Sequence, residues 1–267
     1  MISAGAYFFV HNYPSTARFL TDSERDIIHQ RLKDDSDATQ NEAFNWVNVL
    51  KAVTDIKCIL YALGFHTLSL PLYTLSLFLP TIIKSLGYTS AQAQLMTIPP
   101  YASAFILTVV IAILSQKYRR RAPFILASSS LAIIGYILLL SDHRAGVSYL
   151  GTIFAAAGIY PSVALILAWP ANNVSGQTKR AIANALQISI GNLGAVIGTQ
   201  LYRTETAPRY YLGHSFALGY MVANLVVTTI LWVVLKRDNA RKDASSEIVD
   251  LDEPWSGDED PRWRFHL

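Results

Sequence analysis

The sequence predicts an all-α membrane protein with six transmembrane helices, and three observations support that fold class. Hydrophobic residues fill 52% of the 267 positions and charged residues only 15%, where an ordinary soluble domain is about a quarter charged. The charges are segregated: between Ile56 and Arg203 the one acidic residue is Asp142, and both flanks are rich in acids. Six apolar runs, at about 58–83, 93–115, 123–141, 149–169, 181–202 and 215–235, are each long enough to cross a hydrocarbon layer of about 30 Å at about 1.5 Å per residue.

Composition also narrows the chemistry. The formal charge is +3, and the basic residues sit at the ends of apolar runs instead of forming one face with interleaved aromatics, which argues against a nucleic-acid partner. A lone cysteine, Cys58, allows no internal disulfide and no CxxC metal or redox motif; it reads as a small apolar residue at a helix start. The spanning runs hold no acid and one histidine, His66, so neither a metal cluster, a carboxylate pair nor a Ser/His/Asp arrangement can assemble there. A phosphate-binding GxxxxGK loop is also missing. The expectation is a protein that is not an enzyme and needs no metal or cofactor.

Taken in order, residues 1–57 read as a polar linker with short amphipathic helices. Ala4 to Val10 is apolar but far below spanning length and is read as a remnant of a preceding membrane helix. Thr21 and Glu24 have the spacing of a capping box for a short helix. Phe44, Trp46, Val47, Leu50, Val53 and Ile56 recur at helical spacing; either a helix at the membrane surface or an ordinary solvated helix fits that pattern. The opening residues do not show a basic segment, apolar run and small-residue cleavage site in succession, so insertion is expected to use the first span.

Within the first run His66, Ser69, Tyr73, Ser76 and Pro80 are three or four residues apart and form one polar stripe. Polar groups are costly in lipid, so the stripe is expected to face a cavity. In the second run Pro99 and Pro100 predict a kink or hinge, and in the fourth Gly158, Tyr160, Pro161 and Ser162 predict another. The fifth run puts Asn184, Gln187, Gly191, Gly194 and Gly198 on one face, with Asn192 to its side. The amides are candidate ligand contacts, and the glycines are a candidate ridge for close helix packing. His66, Ser69, Tyr73, Tyr160, Asn184, Gln187 and Asn192 together are the candidate substrate and proton pathway. Each has a plainer alternative as a satisfied helix contact.

Lys and Arg near the helix ends set the orientation. Lys51, Lys57, Lys117, Arg119, Arg120, Arg121, Lys179, Arg180, Lys236, Arg237, Arg241 and Lys242 collect on one side, with Lys84, Arg144, Arg203 and Arg209 on the other. Both termini are therefore expected in the cytoplasm, with Lys117, Arg119, Arg120, Arg121, Lys179 and Arg180 as anchors. The sequon Asn173-Val174-Ser175 falls on that side and is expected to stay unglycosylated. Residues 236–267 are acidic and read as a disordered cytoplasmic tail.

Four segments carry a family resemblance: FLPTIIKSLGYTSAQAQLMTIPPY (78–101), KYRRRAPF (117–124), WPANNVSGQTKRAIANALQISIGNLGAVIG (169–198) and YRTETAPRYYLGH (202–214). They resemble the C-terminal half of a fungal major facilitator superfamily transporter of the allantoate permease type, in the anion:cation symporter group. FLTDSER (19–25) resembles that family's central linker. The resemblance implies one half of a twelve-helix fold, built from two inverted three-helix repeats about a midplane site. It further implies proton-coupled symport of a small organic anion such as nicotinate, allantoate or a vitamin-like carboxylate, across the plasma membrane. Gln116 departs from the acidic residue usual before the basic turn. The partners implied are the lipid bilayer, the organic anion, protons and either a separate N-terminal-half chain or a second copy. The other reading is a truncated or non-transporting six-helix protein that serves as an assembly partner.

Overall fold

The computed structural model describes residues 17, 19–35, 45–141, 144–202, 205, 207, 209–245 and 257–267. The apolar stretch 4–10, residues 36–44 of the polar linker and the tail residues 246–256 lie outside the described residues. Helices α1 (Asp22–Asp35) and α2 (Trp46–Thr54) precede the bundle. The Thr21 N–H donates to Glu24 Oε2 at 2.9 Å and the Glu24 N–H to Thr21 Oγ1 at 3.4 Å, which is the capping box that opens α1. Helix α2 buries Ala52 and leaves Trp46, Val47, Leu50 and Val53 exposed.

The bundle comprises α3 (Ile56–Ser85), α4 (Ser90–Leu95), α5 (Ile98–Tyr118), α6 (Ala122–Ser141), α7 (Ala145–Asn173), α8 (Gln177–Gly198) and α9 (Tyr211–Ser245). With α4 and α5 forming one interrupted crossing, six segments among the described residues are long and apolar enough to span a membrane. No strand is present among the described residues.

Packing in the bundle obeys an internal symmetry. The first span, α3, packs on the fifth, α8, as the fourth, α7, packs on the second, α5; likewise α6 packs on α7 as α9 packs on α3. Exchanging the first three spans for the last three maps each of these contacts onto another. Three crossings reverse the chain's direction, so the two triplets are inverted repeats. The most enclosed helices are α3 and α7, which also touch each other.

Small residues allow two of these contacts. A Cβ at Gly135 would stand 2.7 Å from the Gly151 carbonyl oxygen, and one at Gly158 2.8 Å from Ala132 Cβ, so α6 and α7 meet backbone to backbone. Across α3 and α8, a Cβ at Gly194 would lie 2.8 Å from the His66 carbonyl oxygen and one at Gly198 2.8 Å from Thr74 Cγ2. At Gly191 it would run into the Phe65 ring. These are separations that no packed side chain tolerates.

The structure departs from the sequence expectations in three places. Pro99 and Pro100 do not kink the middle of a helix; they fall in the first turn of α5, where backbone N–H groups have no intrahelical partner to lose, and the crossing breaks before them at Met96 and Thr97. The last helix begins at Tyr211 and runs to Ser245, so His214 lies inside the bundle and Lys236 to Ser245 extend a helix where a disordered tail was expected. Residues 257–267 also pack on the bundle, with Phe265, Asp258 and Asp260 buried. Their charges have partners in the fold, which composition alone does not reveal.

Candidate functional site

Helix α3 enters from the basic end, so at about 1.5 Å per residue His66 stands roughly 15 Å and Tyr73 roughly 25 Å along it. The polar stripe on this helix is divided among its neighbours. Ser69 is fully buried and donates to the Gly191 carbonyl, and also to the His66 carbonyl at 3.1 Å. It belongs to the α3–α8 contact. Ser76 pairs with Tyr160 of α7 at 2.8 Å, Tyr101 of α5 donates to the Ser76 carbonyl at 3.5 Å, and the rings of Tyr101 and Tyr160 meet edge to face at 5.9 Å. This aromatic knot joins α3, α5 and α7 beside Pro161, which lies inside α7.

His66, Tyr73 and Asn192 form the open part of the wall. The His66 ring sits 3.0 Å from the Ile190 carbonyl oxygen through Nδ1 and 5.7 Å from the Tyr220 ring. A carbonyl only accepts, so Nδ1 carries a proton and a neutral ring has its lone pair on Nε2. Tyr73 is 36% exposed and its hydroxyl donates to Asn192 Oδ1 at 3.2 Å. Asn192 Nδ2 has no hydrogen-bond partner among the described residues. An imidazole, a phenol and an amide, none of them fully buried, thus lie along the seam between α3 and α8.

Gln187 is placed otherwise. It is 1% exposed, and Nε2 donates to the Ile166 carbonyl at 2.8 Å and the Tyr61 carbonyl at 3.3 Å, tying α8 to α7 and α3. Asn184, one turn nearer the basic end, has a buried Oδ1 without a partner among the described residues. Gly191, Gly194 and Gly198 stand on the face toward α3, as described above.

Two polar centres escaped the sequence reading. Asn224 of α9 accepts from Ser129 Oγ at 2.9 Å and donates to the Gly64 carbonyl at 3.1 Å and Thr67 Oγ1 at 2.9 Å; Ser129 in turn meets Ser162 at 3.2 Å. It is fully buried and links α3, α6, α7 and α9. His214 is 3% exposed, with Nδ1 3.0 Å from the Tyr202 hydroxyl. An asparagine interrupting the apolar positions of the last span was the available signal for the first; the second lay one residue before the run assigned from hydropathy.

At the basic end Arg119 ends α5 in the left-handed conformation, with φ of 50°, and the Arg120 N–H returns to the Ser115 carbonyl at 3.2 Å. Lys117, Arg119 and Arg120 are exposed, and Arg121 is partly covered. The α7–α8 turn is short, Val174 to Gly176, with Gly176 at φ 81°. Arg180 Nε donates to the Val174 carbonyl at 2.9 Å. Lys179 is 8% exposed and bridges Asp55 at 2.9 Å and Asp258 at 2.7 Å.

Comparison with known proteins agrees with this architecture. The Major Facilitator Superfamily profile matches residues 3–199. The chain is 36% identical over 236 residues to an uncharacterized transporter of Schizosaccharomyces pombe, covering 88% of this chain and 48% of that protein. It is 32% identical over 245 residues to the high-affinity nicotinic acid transporter of Saccharomyces cerevisiae, covering 90% and 45%. An MFS-type transporter of Penicillium expansum is 32% identical over 276 residues, covering 97% and 53%. The chain thus spans about half the length of these relatives. Six spanning helices in two inverted triplets, and the profile match over most of them, make this chain a multi-pass membrane protein of the Major Facilitator Superfamily.

Proposed function

We propose that the chain is the C-terminal half of a twelve-helix, proton-coupled carrier of small organic anions of the nicotinate or allantoate type, working by alternating access. The observation that carries this reading is the His66–Tyr73–Asn192 wall. With Nδ1 fixed on the Ile190 carbonyl, protonation at Nε2 turns the ring into a cation on the same α3–α8 seam that carries the Asn192 amide, a pairing of groups suited to a carboxylate. Loss of that proton releases the anion's countercharge, which links proton and substrate movement. The similarity to the nicotinic acid transporter supports the substrate class. Placement as a C-terminal half is supported by the linker-like FLTDSER segment before the first span and by relatives about twice as long.

The basic end is proposed to face the cytoplasm, with Lys117, Arg119, Arg120, Arg121, Lys179 and Arg180 as anchors and the plasma membrane as the location. Asn173 is then never glycosylated in microsomes, whereas a glycan there would reverse the orientation.

A second reading, assembly without transport by this chain itself, is favoured by the exposed apolar faces of α5 (Phe105, Ile106, Ile113) and α8 (Leu193, Val196). An N-terminal-half chain or a second copy would cover them. Uptake of labelled nicotinate into liposomes under an inward proton gradient separates the two. The carrier reading expects uptake once an N-terminal half is supplied, and abolition of the gradient dependence by His66→Asn; no uptake with any half supplied leaves the assembly reading.

A further inference from the structure

Residues 257–267 occupy a seat built by the ends of four helices. Two asparagine side chains on different helices each grip the main chain of one residue through both of its polar groups. Asn239 of α9 accepts the Phe265 N–H at 2.8 Å and donates to its carbonyl at 2.9 Å. Asn173 of α7 accepts the His266 N–H at 2.7 Å and donates to its carbonyl at 2.9 Å. An amide used in this way stands in for a strand partner and recognises extended backbone. The Trp169 indole N–H adds a third bond, to the His266 carbonyl at 2.8 Å.

Side chains supply the selectivity. Two ammonium groups stand over the buried Phe265 ring, Lys57 Nζ at 5.1 Å and Lys242 Nζ at 4.6 Å from its centroid. Asp258 is 5% exposed and its carboxylate takes both hydrogen bonds from Lys179 Nζ, at 2.7 and 3.0 Å. Lys242 also donates to the Asp258 and Asp260 carbonyls at 2.6 and 3.0 Å. Gly257, at φ 79°, turns the chain into this seat beside Ser175. Acid and aromatic residues of one short segment therefore meet bases and amides of α3, α7, α8 and α9.

We propose that residues 257–267 are an intramolecular latch, and that the basic end of the bundle is its receptor. Seated, the segment fastens the α7–α8 turn to α3 and α9; released, it leaves the turn held to α3 by the Lys179–Asp55 pair and the Asn173–Tyr61 hydrogen bond, with the other ties gone and more freedom to part. For a carrier this makes the segment a control on opening of that end, a consequence that rests on the transport reading, although the latch itself does not.

Cys58 offers a built-in reporter. It is the single cysteine, fully buried, and packs with Val174 of the turn and Ala183 of α8. The test uses the full chain in liposomes and reads two rates: alkylation of Cys58 by N-ethylmaleimide and hydrogen exchange at the Phe265 and His266 amides. Phe265→Ala and Asp258→Asn both lie in the segment and leave the spanning helices intact. The latch predicts slow alkylation and protected amides in the unaltered chain, with both rates rising about tenfold or more in either variant. Unprotected amides in the unaltered chain would show that the segment is not seated. Amides freed in the variants with Cys58 alkylation unchanged would show that it is seated but fastens nothing. Either outcome overturns the latch, and neither depends on uptake, so failure of the transport reading is recorded separately.

Discussion

Lys179 shows how one side chain holds two others in the fold. Its ammonium sits between the carboxylates of Asp55 and Asp258, and all three are largely buried. Asp55 also caps α3 by accepting the Lys57 N–H at 2.9 Å. Removing only the cation leaves two carboxylates facing each other without water, an arrangement that costs about 3–5 kcal/mol. Lys179→Met is therefore expected to lower the thermal midpoint sharply in detergent, and adding Asp55→Asn and Asp258→Asn to it should recover most of the loss. His266 has the opposite relation to charge. Burial, and then the nearby Arg121 and Arg119, hold its imidazole below the usual range, so the free segment binds more protons than the seated one. Seating is then complete above about pH 6.5 and weakens as pH falls below that value. Exchange at the Phe265 amide measured from pH 7.5 to 5.5 and corrected for intrinsic rate should accelerate, and a flat profile would contradict this assignment.

At the scale of helices, contact between α3 and α8 rests on missing side chains and that between α3 and α9 on a buried amide. Gly191→Ala would press a methyl group against Phe65, and overpacking of this kind costs about 1–3 kcal/mol. Gly146, where an added Cβ meets nothing within 4 Å, supplies the control: thermal unfolding should shift for Gly191→Ala and not for Gly146→Ala. Asn224→Ala removes three hydrogen bonds that join α9 to α3 and α6, with an expected loss of about 1–2 kcal/mol, the scale measured for interhelical polar contacts in membranes. The spans themselves were legible because hydropathy needs no knowledge of partners, and the glycine face of α8 because periodicity fixes which residues share a side. Periodicity does not say what lies opposite. Gln187 and Asn192, on the same helix, read alike as amides; only the packing of α7 closes over the first and leaves the second accessible. The seat for residues 257–267 was hidden for the same reason, since Asn173, Asn239 and Lys242 meet only after the helices have assembled.

For the whole molecule, the two inverted triplets give a bundle in which α3 and α7 are enclosed while α5 and α8 present broad apolar faces. Lipid can cover such faces, but the polar wall of His66, Tyr73 and Asn192 needs a partner surface or water opposite it. This chain matches about half the length of each relative, and in the proposed carrier a second half supplies that surface. The proposed carrier therefore places anion binding at the boundary between halves and proton exchange on His66 within this one. The direct test is proton-driven uptake of labelled nicotinate by this chain assembled with an N-terminal half, comparing the unaltered sequence with Asn192→Leu and His66→Asn at equal membrane abundance. The account predicts that Asn192→Leu raises KM about tenfold or more through loss of its amide donors, and that His66→Asn abolishes the dependence on the proton gradient. Unchanged KM and unchanged gradient dependence in the two variants would contradict it.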